Sequence, residues 1–201
     1  AELEVGSASC RARVEISGAV GALQTAGVVV VDLSADFRLR SRDDFAKWYG
    51  EHEAPELFGT AVYGIPELHR GELAGAAFAA AAGCYPTCSV LPLAPFLREG
   101  RVEKDGIVVD AKSGVSGAGR TLADGYLLAE LDANAHAYKP GSVHRHVPEI
   151  EQELALAAGE AVHIAFVPHL LPTTRGMLAT VFARPTAPLS TADAIAVLER
   201  A

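Results

Sequence analysis

The chain has 201 residues, half of them hydrophobic and 21% charged, a composition that can bury a core and that excludes a disordered polypeptide. Its 25 acidic and 17 basic residues leave a net charge of -8, which disfavours a broad nucleic-acid-binding face. Three cysteines at irregular spacing make no disulfide framework and fit a reducing compartment. No apolar run approaches the roughly 20 residues of a membrane span, and no basic-then-apolar leader is visible. A cytoplasmic protein is expected, with neither nucleic acid nor membrane as a partner.

Residues 1–25 are weakly patterned. Val28 to Val31 is a β-branched run between Gly27 and Asp32, read as a strand buried on both faces. The polar turn Leu33 to Leu39 lies at its carboxyl end, where open α/β sheets bind ligands. A short helix is expected over 42–49, then a surface loop to residue 70. Ala76 to Ala82 reads as a strand that leads into Cys84.

The apolar run after Cys84 reads as a helix stopped by Gly100, with a kink or break at Pro92 and Pro95. Gly106 to Asp110 is a further strand, and it feeds a loop, Lys112 to Arg120, with three glycines. Pro148 to Ala158 is expected to be helical, with Ile150 and Leu154 on one face and Glu149 in the first turn. Ala161 to Val167 and Met177 to Ala183 read as paired strands. Leu198 to Ala201 looks like the start of another helix, so the chain reads as a piece of something longer. This order implies an α/β portion leading into an α+β portion.

The chemistry centres on Gly83-Cys84-Tyr85-Pro86-Thr87-Cys88. Proline is favoured at helix starts, which puts Cys84 at or just before a helix N-terminus. Unpaired N–H groups and the positive end of the helix dipole favour a thiolate there. Cys84 is thus a candidate nucleophile; the alternative is a small buried hydrophobe. Cys88, one turn on, reads as packing. A proton-transfer partner is sought in Val143-His144-Arg145-His146-Val147-Pro148-Glu149. In an extended segment His144 and His146 share one side, and histidine suits proton transfer near neutral pH. A solvated strand end, or a metal site of Cys84, His144 and His146, are the alternatives. No metal-ligand motif supports the second, so no metal is expected. Ser113 to Arg120 is rich in main-chain donors and could form an anion site, with Arg120 gripping an oxyanion. Arg38 and Arg175 are further anion candidates. No Gly-x-Gly-x-x-Gly turn is present.

Together, Val31-Asp32-Leu33-Ser34-Ala35-Asp36-Phe37-Arg38-Leu39, Tyr63-Gly64-Ile65-Pro66-Glu67-Leu68, Gly83-Cys84-Tyr85-Pro86-Thr87, Ser113 to Arg120 and His144 to Ile150 resemble N-acetyl-gamma-glutamyl-phosphate reductase, of the aspartate-semialdehyde dehydrogenase-like superfamily. The resemblance runs over about residues 27–184. It implies a remnant of an NADP-binding Rossmann domain over 1–83, joined to an α+β catalytic and dimerisation domain over 84–201 with a mixed or antiparallel sheet. It implies NADPH-dependent reduction of N-acetyl-glutamyl 5-phosphate to the 5-semialdehyde, in arginine biosynthesis, with release of inorganic phosphate through a cysteine thioester. The family nucleophile falls on Cys84 and its acid/base histidine on His144, which would take the cysteine proton. Substrate contacts are expected from Arg38, Ser113, Gly114, Arg120, Tyr138, His146 and Glu149, and cofactor contacts from Ser34, Gly117 and Ala118. A homo-oligomer, dimer or tetramer, is implied. The Gly-rich NADP turn is absent, residues 1–25 do not match the family, and Ala82 stands where the family usually has proline. The other readings are a non-catalytic oligomerisation fragment and a dehydrogenase acting on aspartyl phosphate.

Overall fold

A computed structural model describes residues 19–119 and 124–201. The chain divides into two compact units, with the division between Gly83 and Cys84.

In the first unit, short runs of β-branched and small residues form three parallel strands. They are β1 (Val30–Asp32), β2 (Val62–Gly64) and β3 (Phe78–Ala81), in the order β1-β3-β2. Val31 lies opposite Ala79, and Ala80 opposite Tyr63. Val20, from helical residues 19–25 (α1), packs with Phe37, Ala54, Phe78 and Ala80 in the core. Helix α2 (Arg42–Tyr49) starts where the Ser41 side chain accepts from the Asp44 N–H, as an N-cap serine should. Two expectations fail here. Val29 and Val31 are 66% and 56% exposed, so the strand is not buried on both faces, and among the described residues β1 pairs with β3 alone. The stretch read as a loop contains β2, a 3-10 turn (Pro55–Leu57) and helix α3 (Pro66–Leu73). Pro66 at the first helical position was the available signal.

The second unit is built on helix α4 (Cys84–Arg98) and a mixed sheet. The sheet comprises β4 (Ile107–Ser113), β5 (His136–Ala137), β6 (Ile164–Leu170) and β7 (Met177–Phe182), in the order β5-β6-β4-β7. β4 runs parallel to β6 and antiparallel to β7. The strands β6 and β7, expected to pair, are therefore separated by β4. Helix α5 (Leu128–Leu131) precedes β5; α6 (Val147–Ala158) packs against α4; and α7 (Thr191–Glu199) starts in a capping box of Ser190 and Asp193. Residues 198–201 thus close a helix and do not open one.

The expected break at Pro92 and Pro95 does not form. Each proline removes a helix hydrogen bond, costing about 3 kcal/mol. Val90, Leu93, Ala94 and Leu97 are all buried, and burial of a large aliphatic side chain returns about 1.5–3 kcal/mol. Alternation along β4 puts Ile107, Val109, Ala111 and Ser113 on the buried face, which leaves Val108, Asp110 and Lys112 on the other. The fold is the α/β plus α+β architecture, with a mixed second sheet, that the resemblance implies.

Candidate active site

Cys84 is the first residue of α4 and is exposed. The next residue, Tyr85, turns inward and organises the site. Its ring stands edge-on to His144 at 5.5 Å, to His146 at 5.9 Å and to Phe166 at 5.1 Å. Its hydroxyl lies 2.8 Å from that of Tyr138, just after β5. Tyr138 and Phe166 also stand against the His144 ring, at 5.8 and 5.2 Å. His144 is thus walled by aromatic edges and is 6% exposed.

The electrostatics follow from this packing. Burial, then the bond to Tyr138, pushes the Tyr85 hydroxyl far above its ordinary range, and the Ser113 hydroxyl opposes the rise. Burial also raises Tyr138. A negative charge on Cys84 contributes to both rises, so the sulfur lies within electrostatic reach of the two phenols that border His144. Burial, reinforced by the charges of Arg145 and Lys139, lowers the His144 imidazole to about 4. Cys88 differs from Cys84. Its half-buried thiol donates to the Tyr85 carbonyl and to the Met177 sulfur, each at 3.3 Å, and burial pushes it up to about 11.

His144 and His146 do come together, with ring centroids 5.0 Å apart, but by a different route from the one expected. Residues 141–146 form turns and not an extended strand, and His146, at the N-cap of α6, has helical backbone angles. This turn brings the His146 N–H to 3.1 Å from His144 Nδ1. That nitrogen is therefore a hydrogen-bond acceptor, and its lone pair is not available to a metal.

The glycine loop is not an open ring of donors. The N–H groups of Gly114, Val115 and Ser116 donate to Gly176, Thr173 and Thr174, and those of Gly117 and Gly119 to Gly114 and Ser116. These five donors are spent on main-chain carbonyls, so an anion held by this loop would rely on its other groups. Glycine is needed at 114 for packing: a Cβ there would lie 2.8 Å from the Thr173 carbonyl oxygen. Ser113, at the end of β4, is buried beneath the loop.

The other expected residues are placed as follows. Glu149 is buried on α6. In the first unit the Arg38 guanidinium donates to the Leu33 carbonyl at 2.9 Å. The Ser34 hydroxyl donates to Asp32 at 2.7 Å and accepts from the Asp36 N–H. Arg120 and the Ala118 side chain lie outside the described part of the chain. Sequence reasoning missed Tyr85 and Phe166; Tyr85, between Cys84 and Pro86, was the one within reach of it.

An exposed cysteine opens a helix that packs against a mixed sheet, in the same compact unit as a buried histidine, an arrangement that fits a semialdehyde-dehydrogenase type of α+β domain. The chain belongs to that family: residues 84–201 match the model described as "Semialdehyde dehydrogenase, dimerisation domain". Among curated relatives, the N-acetyl-gamma-glutamyl-phosphate reductase of Magnetococcus marinus is 55% identical over 161 residues, 80% of this chain and 46% of its own. That of Citrifermentans bemidjiense is 49% identical, over 86% of this chain and 50% of its own. The chain spans about half the length of the curated relatives it matches. Solved structures share the fold. Aspartate semialdehyde dehydrogenase II of Vibrio cholerae has a TM-score of 0.63 at 16% identity, over 92% of this chain and 57% of its own. The Candida albicans enzyme, solved with NADP, has a TM-score of 0.51 at 11% identity, over 92% of this chain and 52% of its own.

Proposed function

We propose that the chain is part of an N-acetyl-gamma-glutamyl-phosphate reductase, which reduces N-acetyl-glutamyl 5-phosphate to the 5-semialdehyde and releases inorganic phosphate. The observation that carries this is the exposed Cys84 at the start of α4, next to the Tyr85–Tyr138–His144 cluster. It gains weight from relatives of that name that are about half identical to this chain. The Cys84 thiolate attacks the acyl-phosphate carbonyl carbon. A sulfur–carbon bond forms, the carbon–oxygen bond to phosphate breaks, and phosphate leaves with the electron pair, giving a thioester. Main-chain N–H groups at the start of α4 and the buried His144 stabilise the developing oxyanion. Substrate contacts within the second unit are assigned to Ser113, Gly114, Arg120, Tyr138, His146 and Glu149.

NADPH is the cofactor of the whole enzyme and supplies the hydride when bound. Among the described residues the fit to a dinucleotide is poor. No Gly-rich phosphate turn opens a helix, and Ser34 and Gly117 spend their N–H groups inside the chain. The chemistry assigned to this chain is therefore the acylation half-reaction, which needs no nucleotide. We assign residues 1–83 to the cofactor domain and 84–201 to the catalytic and dimerisation domain of a cytoplasmic homo-oligomer. The family model over 84–201 also favours a second reading, in which this chain only oligomerises.

The test is to incubate the chain, without nucleotide, with N-acetyl-glutamyl phosphate and to map acylation by mass spectrometry. An adduct on Cys84 supports the reductase reading. Acylation by aspartyl phosphate alone would reassign the substrate. No adduct on folded protein would favour the oligomerisation fragment.

A further inference from the structure

We propose that Cys84, Cys88 and Met177 form a site for one soft monovalent metal ion of the copper(I) type, and that its binding caps Cys84 and blocks acyl transfer. The block rests on reading Cys84 as the acyl-transfer nucleophile; the metal site itself does not.

The site begins with a contact that the acylation chemistry does not use. The half-buried Cys88 thiol on α4 meets the sulfur of Met177, at the start of β7, at 3.3 Å. Two sulfurs from different elements thus converge. Cys84 supplies a third. It opens α4, four residues before Cys88, and side chains at that spacing are neighbours on one helix face, with Cβ atoms about 5–6 Å apart. That separation is too wide for a disulfide, which needs about 3.8 Å, but it suits two ligands with an ion between them. A negative charge on Cys84 is felt at the Cys88 thiol, so the two sulfurs lie within electrostatic reach.

The ligand types select the ion. Thiolate and thioether sulfurs favour copper(I) over the harder divalent ions. Among the described residues no three histidine, cysteine, aspartate or glutamate side chains are placed to hold a metal ion, so an ion that prefers nitrogen and oxygen finds no comparable set. Met177 has a flexible side chain with three rotatable bonds, and its sulfur can draw back from the thiol to admit the ion. The exposed Cys84 gives the way in. Binding forms three metal–sulfur bonds and releases the thiol protons to solvent. The metal stays monovalent and no electron moves. Once coordinated, the Cys84 sulfur commits to the metal the electron pair that would attack a carbonyl carbon.

The test is anaerobic competition for copper(I) between the chain and the coloured chelator bicinchoninate, with Cys10→Ser in every protein so that the third cysteine of the chain does not count. The otherwise wild-type chain should hold one copper(I). Met177→Leu, which conserves volume, and Cys88→Ala should each weaken binding at least about tenfold. Affinity unchanged in either variant overturns the proposal, as does X-ray absorption at the copper edge that shows nitrogen ligands in place of sulfur. Met177→Leu carries the test should Cys88→Ala fold poorly. Acylation by N-acetyl-glutamyl phosphate gives a second arm. Copper(I) should stop acylation of Cys84 in the wild-type chain. Both variants should be acylated at about the wild-type rate and need at least about tenfold more free copper(I) for the same block. Equal sensitivity in all three overturns the proposal, because Cys84 would then hold the ion alone. A wild-type chain that binds copper(I) as expected but is never acylated counts against the reductase reading and leaves the metal site standing.

Discussion

The hydroxyls of Tyr85 and Tyr138 meet at 2.8 Å, which ties the first turn of α4 to the residue after β5. Tyr138 in turn donates its main-chain N–H to the Pro168 carbonyl on β6. One hydrogen bond thus fixes two of the aromatic walls around His144. Replacing either tyrosine by phenylalanine leaves a half-buried hydroxyl short of a partner and should cost about 1–2 kcal/mol. Because both singles break the same bond, Tyr85→Phe with Tyr138→Phe should cost less than the sum of the two. Urea unfolding of the four proteins reads this cycle, and strict additivity would show that the bond is not formed in solution.

Cys84 and Cys88 should separate cleanly under alkylation. Cys84 is exposed at a helix start, whereas Cys88 is half-buried and its thiol is pushed up to about 11. The thiolate is the reactive form, so limited iodoacetamide at neutral pH should label Cys84 well before Cys88 in peptide maps. Cys84→Ser and Cys84→Ala should abolish acyl transfer, while Cys88→Ala should only lower the unfolding midpoint.

Stability should fall with acid in a window set by His144. Its folded imidazole titrates at about 4 against an ordinary 6.5. Below 6.5 the unfolded chain therefore binds a proton that the folded chain refuses. Stability from this group is complete above 6.5, declines as pH falls from 6.5 towards 4, and declines no further below that. Replacing it with the non-titrating glutamine should flatten this part of the stability-against-pH curve, measured by urea unfolding. An equally steep curve in His144→Gln would assign the acid sensitivity elsewhere.

The glycine loop gives a graded series. At Gly114 a Cβ would press on the main chain of Thr173 and Arg175 at 2.8–3.0 Å, and Gly114→Ala should cost about 1–3 kcal/mol. At Gly117 it would meet only the Ser113 side chain, with the hydroxyl at 2.5 Å, and that side chain can rotate. Gly117→Ala should be milder in thermal melts yet disturb the Ser113–Tyr85 contact. Gly125 has nothing within 4 Å, so Gly125→Ala serves as the neutral control.

The uncovered face of the second sheet presents Leu178 and Phe182, at 62% and 58% exposure. If the family's homo-oligomer uses this face, Phe182→Asp should shift sedimentation towards the monomer without altering Cys84 alkylation. An unchanged sedimentation coefficient would place the interface elsewhere.

What the sequence made legible were the long signals. Ser41 before α2, Pro148 in the first turn of α6 and the β-branched run of β4 each carry a local physical reason for their element. Cys84 could be placed at a helix start because proline follows so closely. The short elements β2 and β5 carry too few residues for a period to register. α4 was misjudged because the penalty at Pro92 and Pro95 is local, while the burial that offsets it comes from α6 and β7. The meeting of His144 and His146 was expected from strand alternation but is made by a turn. The bond from His146 to Nδ1 depends on that turn and has no signature in residue type.

The position of β4 also bears on how the molecule is made. β4 is the first strand of its sheet to be synthesised, yet both of its neighbours, β6 and β7, come much later in the chain. Both of its edges stay unpaired until β6 has emerged, and one stays open until Phe182 follows. Pairings of such long sequence separation close slowly, and an apolar strand with open edges is prone to pair with other chains meanwhile. Expression at low temperature, or with a chaperone that shields extended apolar segments, should therefore raise the soluble yield more than any substitution on the finished surface.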